Sequence, residues 1–105
     1  MLRMTFSELS NFTKQVTRLL DDESYADLQM ELFHRPDLGK VIKGSDGLRK
    51  VRWASQGRGK RGGVRVIYYW YVTRDLITFC EIYPKNEKEN LTANEIQKIN
   101  DQLQR

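Results

Sequence analysis

The chain has 105 residues, and its 18 Lys and Arg side chains outnumber its 14 Asp and Glu side chains to give a net charge of +4. This length suits a single domain, residues 1–105, with one hydrophobic core. No segment approaches the roughly 18 apolar residues of a membrane span, and the N-terminal sequence lacks the apolar run of a signal peptide. Because the one cysteine, Cys80, has no partner for an internal disulfide, we expect a cytoplasmic protein with a buried, unreactive thiol.

Two amphipathic helices are predicted in the first third of the chain. The segment from Leu2 to Phe6 fits a short strand, and apolar residues then recur at spacings of three and four, which indicates one face of a helix. Asp22 is the expected N-cap of the second helix, and Pro36 with Gly39 is expected to end it. The apolar stripes are Leu9, Phe12, Val16 and Leu19 in the first helix and Tyr25, Leu28 and Leu32 in the second.

Three strand-like runs and a final helix follow. The runs are LRKVRWAS, VRVIYYWYV and LITFCEIY, with a short polar link, TRD, between the last two. Both parities of VRVIYYWYV are mostly apolar, which predicts a central strand covered on both faces. Thr92 and Glu95 form a capping box at the start of the final helix. The buried side of this helix is predicted to be Ile96, Ile99 and Leu103.

Positive charge is concentrated in the segment from Gly47 to Arg74. This segment has a charge of +8 and contains no Asp or Glu, whereas ten basic and fourteen acidic residues give the remainder of the chain a charge of −4. Such a field attracts polyanions, and a phosphate backbone is the expected partner. The basic residues are Arg49, Lys50, Arg52, Arg58, Lys60, Arg61, Arg65 and Arg74.

Strand periodicity assigns some of these cations to one face of the sheet. Lys50 and Arg52 share one side of their strand, and Val51 and Trp53 share the other, because successive side chains alternate across a sheet. Arg65 is the one charged residue in an otherwise apolar strand. Such a guanidinium either pairs with a carboxylate or points into a functional site, and the absence of acidic residues nearby in the sequence favours the site.

The glycine-rich loop QGRGKRGG has two interpretations. It lacks the GxxxxGK[ST] spacing of a Walker A loop, and it could be a solvated hairpin tip. Alternatively, its glycines let the backbone approach a bulky ligand, and Arg58, Lys60 and Arg61 supply phosphate contacts. The nearby aromatic residues are expected to be mostly core, with a minority stacking on bases. These aromatics are Tyr68, Tyr69, Trp70, Tyr71 and Tyr83.

Histidine and metal chemistry have little support in the sequence. The single histidine, His34, lies at the end of the second helix, outside the basic segment, and is expected to be structural or exposed. No Cys, His and carboxylate cluster has metal-ligand spacing, so no metal and no cofactor is expected. An enzyme with this sequence would act on a phosphodiester with Lys and Arg, aided by Tyr.

The basic segment and the sequence after the last strand carry a family resemblance. The run GLRKVRWASQGRGKRGGVRVIYYW, followed by IYPKNEKENLTANE, resembles the RelE/HigB superfamily of bacterial toxins, particularly the HigB type with a basic glycine loop. The likeness extends roughly from Tyr25 to Leu103. It implies a compact α+β fold, with two N-terminal helices packed on a small, mainly antiparallel sheet and a C-terminal helix.

The resemblance also implies an activity and partners. Such toxins are ribosome-dependent endoribonucleases, which cut mRNA in the ribosomal A site by promoting attack of a ribose 2′-hydroxyl on the adjacent phosphate. A cognate antitoxin, here of the helix-turn-helix HigA type, would silence the toxin. Two alternatives remain open at this point: a ParE-like toxin that inhibits DNA gyrase, and a non-catalytic RNA-binding module.

Residue by residue, the resemblance places catalysis on Lys50, Arg52, Arg65 and Lys85. The two arginines suit a phosphorane, and either lysine could exchange a proton. RelE has a catalytic tyrosine near the terminal segment, where this chain reads LTANE, so either Tyr83 takes part of that role or a lysine is the base. A shift of one position would replace Lys85 with Asn86. The predicted RNA or ribosome contacts are Arg49, Arg58, Lys60, Arg61, Tyr83 and Asn86.

Overall fold

The computed structural model describes residues 3–54 and 63–105. Three helices and five strands follow one another along this part of the chain. They are β1 (Thr5–Glu8), α1 (Ser10–Leu19), α2 (Asp22–His34), β2 (Lys40–Val41), β3 (Arg49–Trp53), β4 (Val64–Tyr71), β5 (Leu76–Pro84) and α3 (Ala93–Gln102), with a short 3-10 helix, Val72–Arg74, between β4 and β5.

The five strands form one sheet in the order β1-β5-β4-β3-β2. β1 runs parallel to β5, and the other neighbours are antiparallel. The α+β class, the three-stranded antiparallel run and the central position of β4 are confirmed. Two features differ from prediction: the first strand is Thr5–Glu8 rather than residues 2–6, and β2 was not predicted.

Helices α1 and α2 cover one face of the sheet. Phe79 of β5 is fully buried there, with its ring centroid 5.0 Å from that of Phe12 and 5.5 Å from that of Tyr25. The apolar stripe of α1 was predicted correctly at its centre and less well at its ends. Leu9 precedes α1 and packs against the cluster on the other face, and Leu20, just beyond α1, is more deeply buried than Leu19.

The helix ends follow local hydrogen bonding. The N-cap of α2 is Asp21, not Asp22, because the Asp21 carboxylate accepts a hydrogen bond of 2.7 Å from the backbone N–H of Ser24. Asp22 is the first residue of the helix, which ends before Pro36. The capping box of α3 is confirmed: the Thr92 hydroxyl accepts from the Glu95 N–H, and the Glu95 carboxylate accepts from the Thr92 N–H.

Helix α3 covers part of the opposite face of the sheet. Ile99 and Leu103 are buried there against Leu48 and Ile67, while Ile96 is partly buried. Cys80 lies in the same cluster, and burial raises the pKa of its thiol to about 12, which keeps it protonated at neutral pH. His34 is exposed at the end of α2. In the described ranges 3–54 and 63–105, no helix is both long and apolar enough to cross a membrane.

Candidate functional site

Two pairs of like charges face each other on the side of the sheet that carries α3. Arg52 of β3 lies directly opposite Arg65 of β4, and Lys50 of β3 lies directly opposite Lys40 of β2. Directly opposed residues point to the same face, so these four side chains form one group, which we call the cationic face. Like charges in this position destabilise a sheet. Their arrangement therefore favours a bound anion.

The cationic face remains accessible because α3 covers only the neighbouring part of the sheet. A cleft of about 470 Å³ is lined by all four cations of the face and also by Glu31 of α2. A second cleft, of about 380 Å³, shares Arg52 and Trp53 with the first and includes Lys85. The two clefts thus bring together the four residues that were predicted to be catalytic: Lys50, Arg52, Arg65 and Lys85.

Arg65 is held by backbone carbonyl groups rather than by a carboxylate. Its Nη1 donates to the carbonyl oxygen of Lys85 at 3.1 Å and to that of Lys88 at 3.5 Å. The structure gives Arg65 no acidic hydrogen-bond partner among the described residues. Carbonyl groups fix the planar guanidinium without neutralising its charge, so it can still stabilise a phosphate.

The segment after β5 contains two further residues predicted for the site, Lys85 and Asn86, and contacts a third, Lys50. Lys50 Nζ donates to Asn90 Oδ1 at 2.9 Å. Lys85 and Asn86 have exposed side chains, and the Lys85 backbone N–H donates to the carbonyl oxygen of Gly63 at 2.9 Å. The segment after β5 therefore borders the cationic face on one side.

Tyr83 lies opposite Arg65 across β4 and β5, but its side chain is only 3% exposed. The Lys88 ammonium lies 5.0 Å from its ring centroid, and the same ammonium pairs with Glu95. Burial raises the pKa of Tyr83, and the charge of Arg65 only partly opposes this effect. The phenol therefore stays protonated, which disfavours it as a base and leaves it able to donate a hydrogen bond.

Of the remaining residues predicted to contact RNA or the ribosome, one lies away from the cationic face and three lie outside the described residues. Arg49 lies on the opposite face from Lys50, where its Nη1 donates to the carbonyl oxygens of Gly39 at 2.7 Å and Asp37 at 3.3 Å. Arg49 thus stabilises the backbone that leads into β2. Its role in RNA or ribosome binding stays a prediction. The predicted contacts Arg58, Lys60 and Arg61 lie outside the described residues.

Most of the aromatic residues considered for base stacking belong to the core, as expected. Tyr68 is fully buried, and its hydroxyl accepts from the Gly39 N–H at 2.8 Å and donates to the Pro36 carbonyl oxygen at 2.7 Å. Trp53 was not considered for stacking, yet it lines both clefts. Its indole donates to the Ser24 carbonyl oxygen at 2.9 Å, which orients the ring at the rim of the site.

Sequence reasoning also missed Lys40 and Asn90. Lys40 joins the cationic face only through the two-residue strand β2, and Asn90 reaches Lys50 from 40 positions away in the chain. No local signal marks either contact. Within the described residues, no group of three or more His, Cys, Asp or Glu side chains is placed to hold a metal ion.

Comparison with known proteins assigns the family. The family described as "RelE toxin of RelE / RelB toxin-antitoxin system" matches residues 36–103, which include β2 to β5 and α3. The chain belongs to the RelE toxin family. Its fold is similar to that of a double-mutant form of toxin RelE from E. coli in the free state, with a TM-score of 0.63 and 10% sequence identity. The match covers 96% of this chain and 98% of that one.

Family membership identifies the chain as a toxin of a toxin-antitoxin system. Toxins of the RelE family are endoribonucleases that cleave mRNA. The resemblance seen in the sequence is thus confirmed at the level of the RelE superfamily. At 10% identity, the E. coli structure supports the fold alone.

Proposed function

We propose that this RelE-family toxin is a metal-independent endoribonuclease that cleaves mRNA in the ribosomal A site and so inhibits translation. The observation that carries the proposal is the pair Arg52 and Arg65, directly opposed on one face of the sheet beside Lys50. A scissile phosphate between these guanidinium groups would relieve their mutual repulsion. It would also place Lys50 and Lys85 at the edges of the reacting group.

In the proposed reaction, the ribose 2′-oxygen attacks the adjacent phosphorus. The bond from O2′ to phosphorus forms and the bond from phosphorus to O5′ breaks, which leaves a 2′,3′-cyclic phosphate and a 5′-hydroxyl. One group accepts the 2′-hydroxyl proton, and another donates a proton to the leaving oxygen. We assign these transfers to Lys50 and Lys85, in either order, while Arg65 and Arg52 stabilise the charge on the phosphorane.

Tyr83 has a supporting role in this scheme. Its raised pKa argues against a phenolate base. Its position opposite Arg65 instead allows the neutral phenol to donate a hydrogen bond beside the guanidinium. This leaves a lysine as the base and accounts for a chain that lacks a tyrosine in the segment LTANE.

Ribosome dependence is part of the proposal because the cationic face is open and shallow. It can grip a phosphate, but in-line attack also requires the ribose and phosphate to be held in one geometry. We expect expression of the chain alone to arrest bacterial growth and translation. Purified protein should cleave a transcript that is engaged on ribosomes at least about 100-fold faster than the same naked transcript, a factor well within the reach of orientation effects.

Two results would contradict this expectation. Equal cleavage rates for the naked and the ribosome-engaged transcript would exclude ribosome dependence. Growth arrest with intact mRNA and inhibited DNA gyrase would instead indicate a ParE-like activity. Mapping the 3′ ends of the fragments provides an independent check, since 2′-hydroxyl attack must leave a 2′,3′-cyclic phosphate.

We further propose a HigB-type toxin that acts in the cytoplasm with a helix-turn-helix antitoxin of the HigA type. The basic glycine-rich sequence between β3 and β4 supports the subtype. The concentration of cations on one face supports an antitoxin that covers this face with acidic residues, because complementary charge also speeds capture.

Cover of the cationic face predicts two measurable properties of the toxin-antitoxin complex. Its association rate should fall steeply as ionic strength rises, and Lys40 and Lys50 should be protected from amine labelling. Lys14 is the control and should stay reactive, because it is exposed on α1, which covers the opposite face of the sheet. Unchanged labelling of Lys40 and Lys50 in the complex would exclude direct cover.

A further inference from the structure

A third cleft lies beside the cationic face, at the edge of the sheet formed by β2. Its volume is about 420 Å³, and it is lined by three lysines, Lys40, Lys43 and Lys50, together with Asn90 and an apolar floor that includes Ile42 and Leu91. No Asp or Glu belongs to its lining among the described residues. We infer that this cleft binds a second nucleotide of an RNA strand whose scissile phosphate lies at Arg52 and Arg65. This inference rests on the proposed function.

The chemistry of the lining fits a nucleotide. Lysines at the rim suit a phosphate, and an apolar floor suits the flat face of a base, which is a common combination in the recognition of single-stranded RNA. The cleft is also of the size typical for small-ligand sites.

The third cleft is continuous with the cationic face, so one RNA strand can lie across both. Lys40 and Lys50 line both this cleft and the cleft that contains Arg52 and Arg65. A phosphate near these two lysines is therefore adjacent to the reacting phosphate on one side and to the new cleft on the other. The opposed pair Lys40 and Lys50 carries the same unfavourable charge arrangement as Arg52 and Arg65, which a second phosphate would relieve.

The backbone beneath Lys40 is firmly held, so the cleft is preformed. Gly39 is buried, its N–H donates to the Tyr68 hydroxyl, and its carbonyl oxygen accepts from Arg49. A Cβ atom at position 39 would lie 2.8 Å from Tyr68 Cε1 and 3.0 Å from the Lys50 carbonyl oxygen, so only glycine permits this close approach. On the other side of β2, the Ile42 N–H donates to the Leu48 carbonyl oxygen at 2.8 Å.

Asn90 adds a polar group for orientation. Its Oδ1 accepts from Lys50 Nζ, which leaves the two N–H groups of the amide to donate into the cleft. An acceptor on a base edge or a ribose hydroxyl is a suitable partner. The same hydrogen bond links the second nucleotide to a residue proposed for catalysis.

The test compares two double variants with equal loss of charge. Lys40→Ala with Lys43→Ala removes the two outer lysines of the cleft, and Lys14→Ala with Lys98→Ala removes exposed lysines of α1 and α3. Binding of a short, uncleavable RNA with 2′-O-methyl groups is measured by fluorescence anisotropy across a salt series. Each phosphate contact contributes roughly 0.7 to the slope of log K against log salt, so the cleft variant should lower the slope by about 1.4 and the control should not.

A second arm identifies the source of the RNA strand. With ribosome-engaged mRNA, Lys43→Ala should raise the toxin concentration needed for half-maximal cleavage by about tenfold, with a much smaller change in the rate at saturation. Weaker binding in both assays supports mRNA as the ligand. A defect only with ribosomes overturns the inference, because it would indicate ribosomal RNA rather than the cleaved strand in this cleft.

The inference is overturned if the cleft variant and the control lose the same amount of binding in the anisotropy series while thermal melting shows that both remain folded. It is also overturned if Lys43→Ala lowers only the saturating rate, because that result would place Lys43 in the chemistry. If the parent protein fails to cleave mRNA at all, the proposed function fails, but the anisotropy series still tests the cleft.

Discussion

Arg65→Ala is expected to lower the rate of mRNA cleavage by roughly 10²–10³-fold, the usual cost of removing one group that stabilises transition-state charge. The reason is the fixed position of the guanidinium on the cationic face, where two backbone carbonyl groups of the segment after β5 hold it. Ribosome binding should stay within about tenfold, since other cations also contact phosphate. Single-turnover cleavage at saturating toxin, together with ribosome co-sedimentation, separates the two effects.

Arg65→Lys and Arg74→Ala are the matched controls. A lysine keeps the charge but loses the planar fork, so an intermediate rate is expected. Arg74 is an exposed arginine beyond the end of β4, next to Tyr71, and its removal should leave cleavage unchanged. Equal rates for Arg65→Ala and the parent protein would contradict the assignment of Arg65.

Replacing Arg58, Lys60 and Arg61 together by neutral residues should weaken ribosome binding and flatten its salt dependence. The rate of mRNA cleavage at saturating toxin should change less. If this triple variant binds normally but does not cut, the glycine-rich loop contributes to the chemistry and the assignment of roles is reversed.

Phe79→Ala should cost about 3–5 kcal/mol of unfolding free energy, which is a large share of the roughly 5–15 kcal/mol typical of a domain. The Phe79 side chain is fully buried between the sheet and α1 and α2, and three other aromatic rings surround it. Its removal would leave a cavity that the close-packed rings could fill only in part. Urea unfolding gives the free energy directly.

Val72→Ala provides the comparison for Phe79→Ala. Val72 is 58% exposed on the short 3-10 helix, so its truncation should change the unfolding free energy by no more than about 0.5 kcal/mol. Phe79→Leu should fall between the two because it restores part of the volume. A loss below about 1 kcal/mol for Phe79→Ala would mean that the aromatic cluster does not organise this face of the sheet.

The site was largely predictable where it depended on strand periodicity. Lys50 and Arg52 were assigned to one face because side chains alternate along a strand, and the structure places both there. The capping box at Thr92 and the buried side of α3 followed from equally local rules. Such rules succeed because each depends only on residues that are close together in the sequence.

The rest of the fold depends on contacts between distant residues. β1 pairs in parallel with β5, and Thr5 aligns with Leu76, a register that no local pattern specifies. β2 consists of two residues and is a strand only because β3 lies beside it, so Lys40 could not be assigned to the site. Asp22 was chosen over Asp21 as a cap because adjacent aspartates are equivalent until the backbone geometry is known.

The segment that positions the side chains proposed for catalysis lies downstream of them in the chain. Arg65 depends on the carbonyl groups of Lys85 and Lys88, and Lys50 depends on Asn90. During translation, the two basic strands therefore leave the ribosome before the residues that orient them. A partly synthesised chain therefore carries the basic strands β3 and β4 without the contacts that orient Arg65 and Lys50.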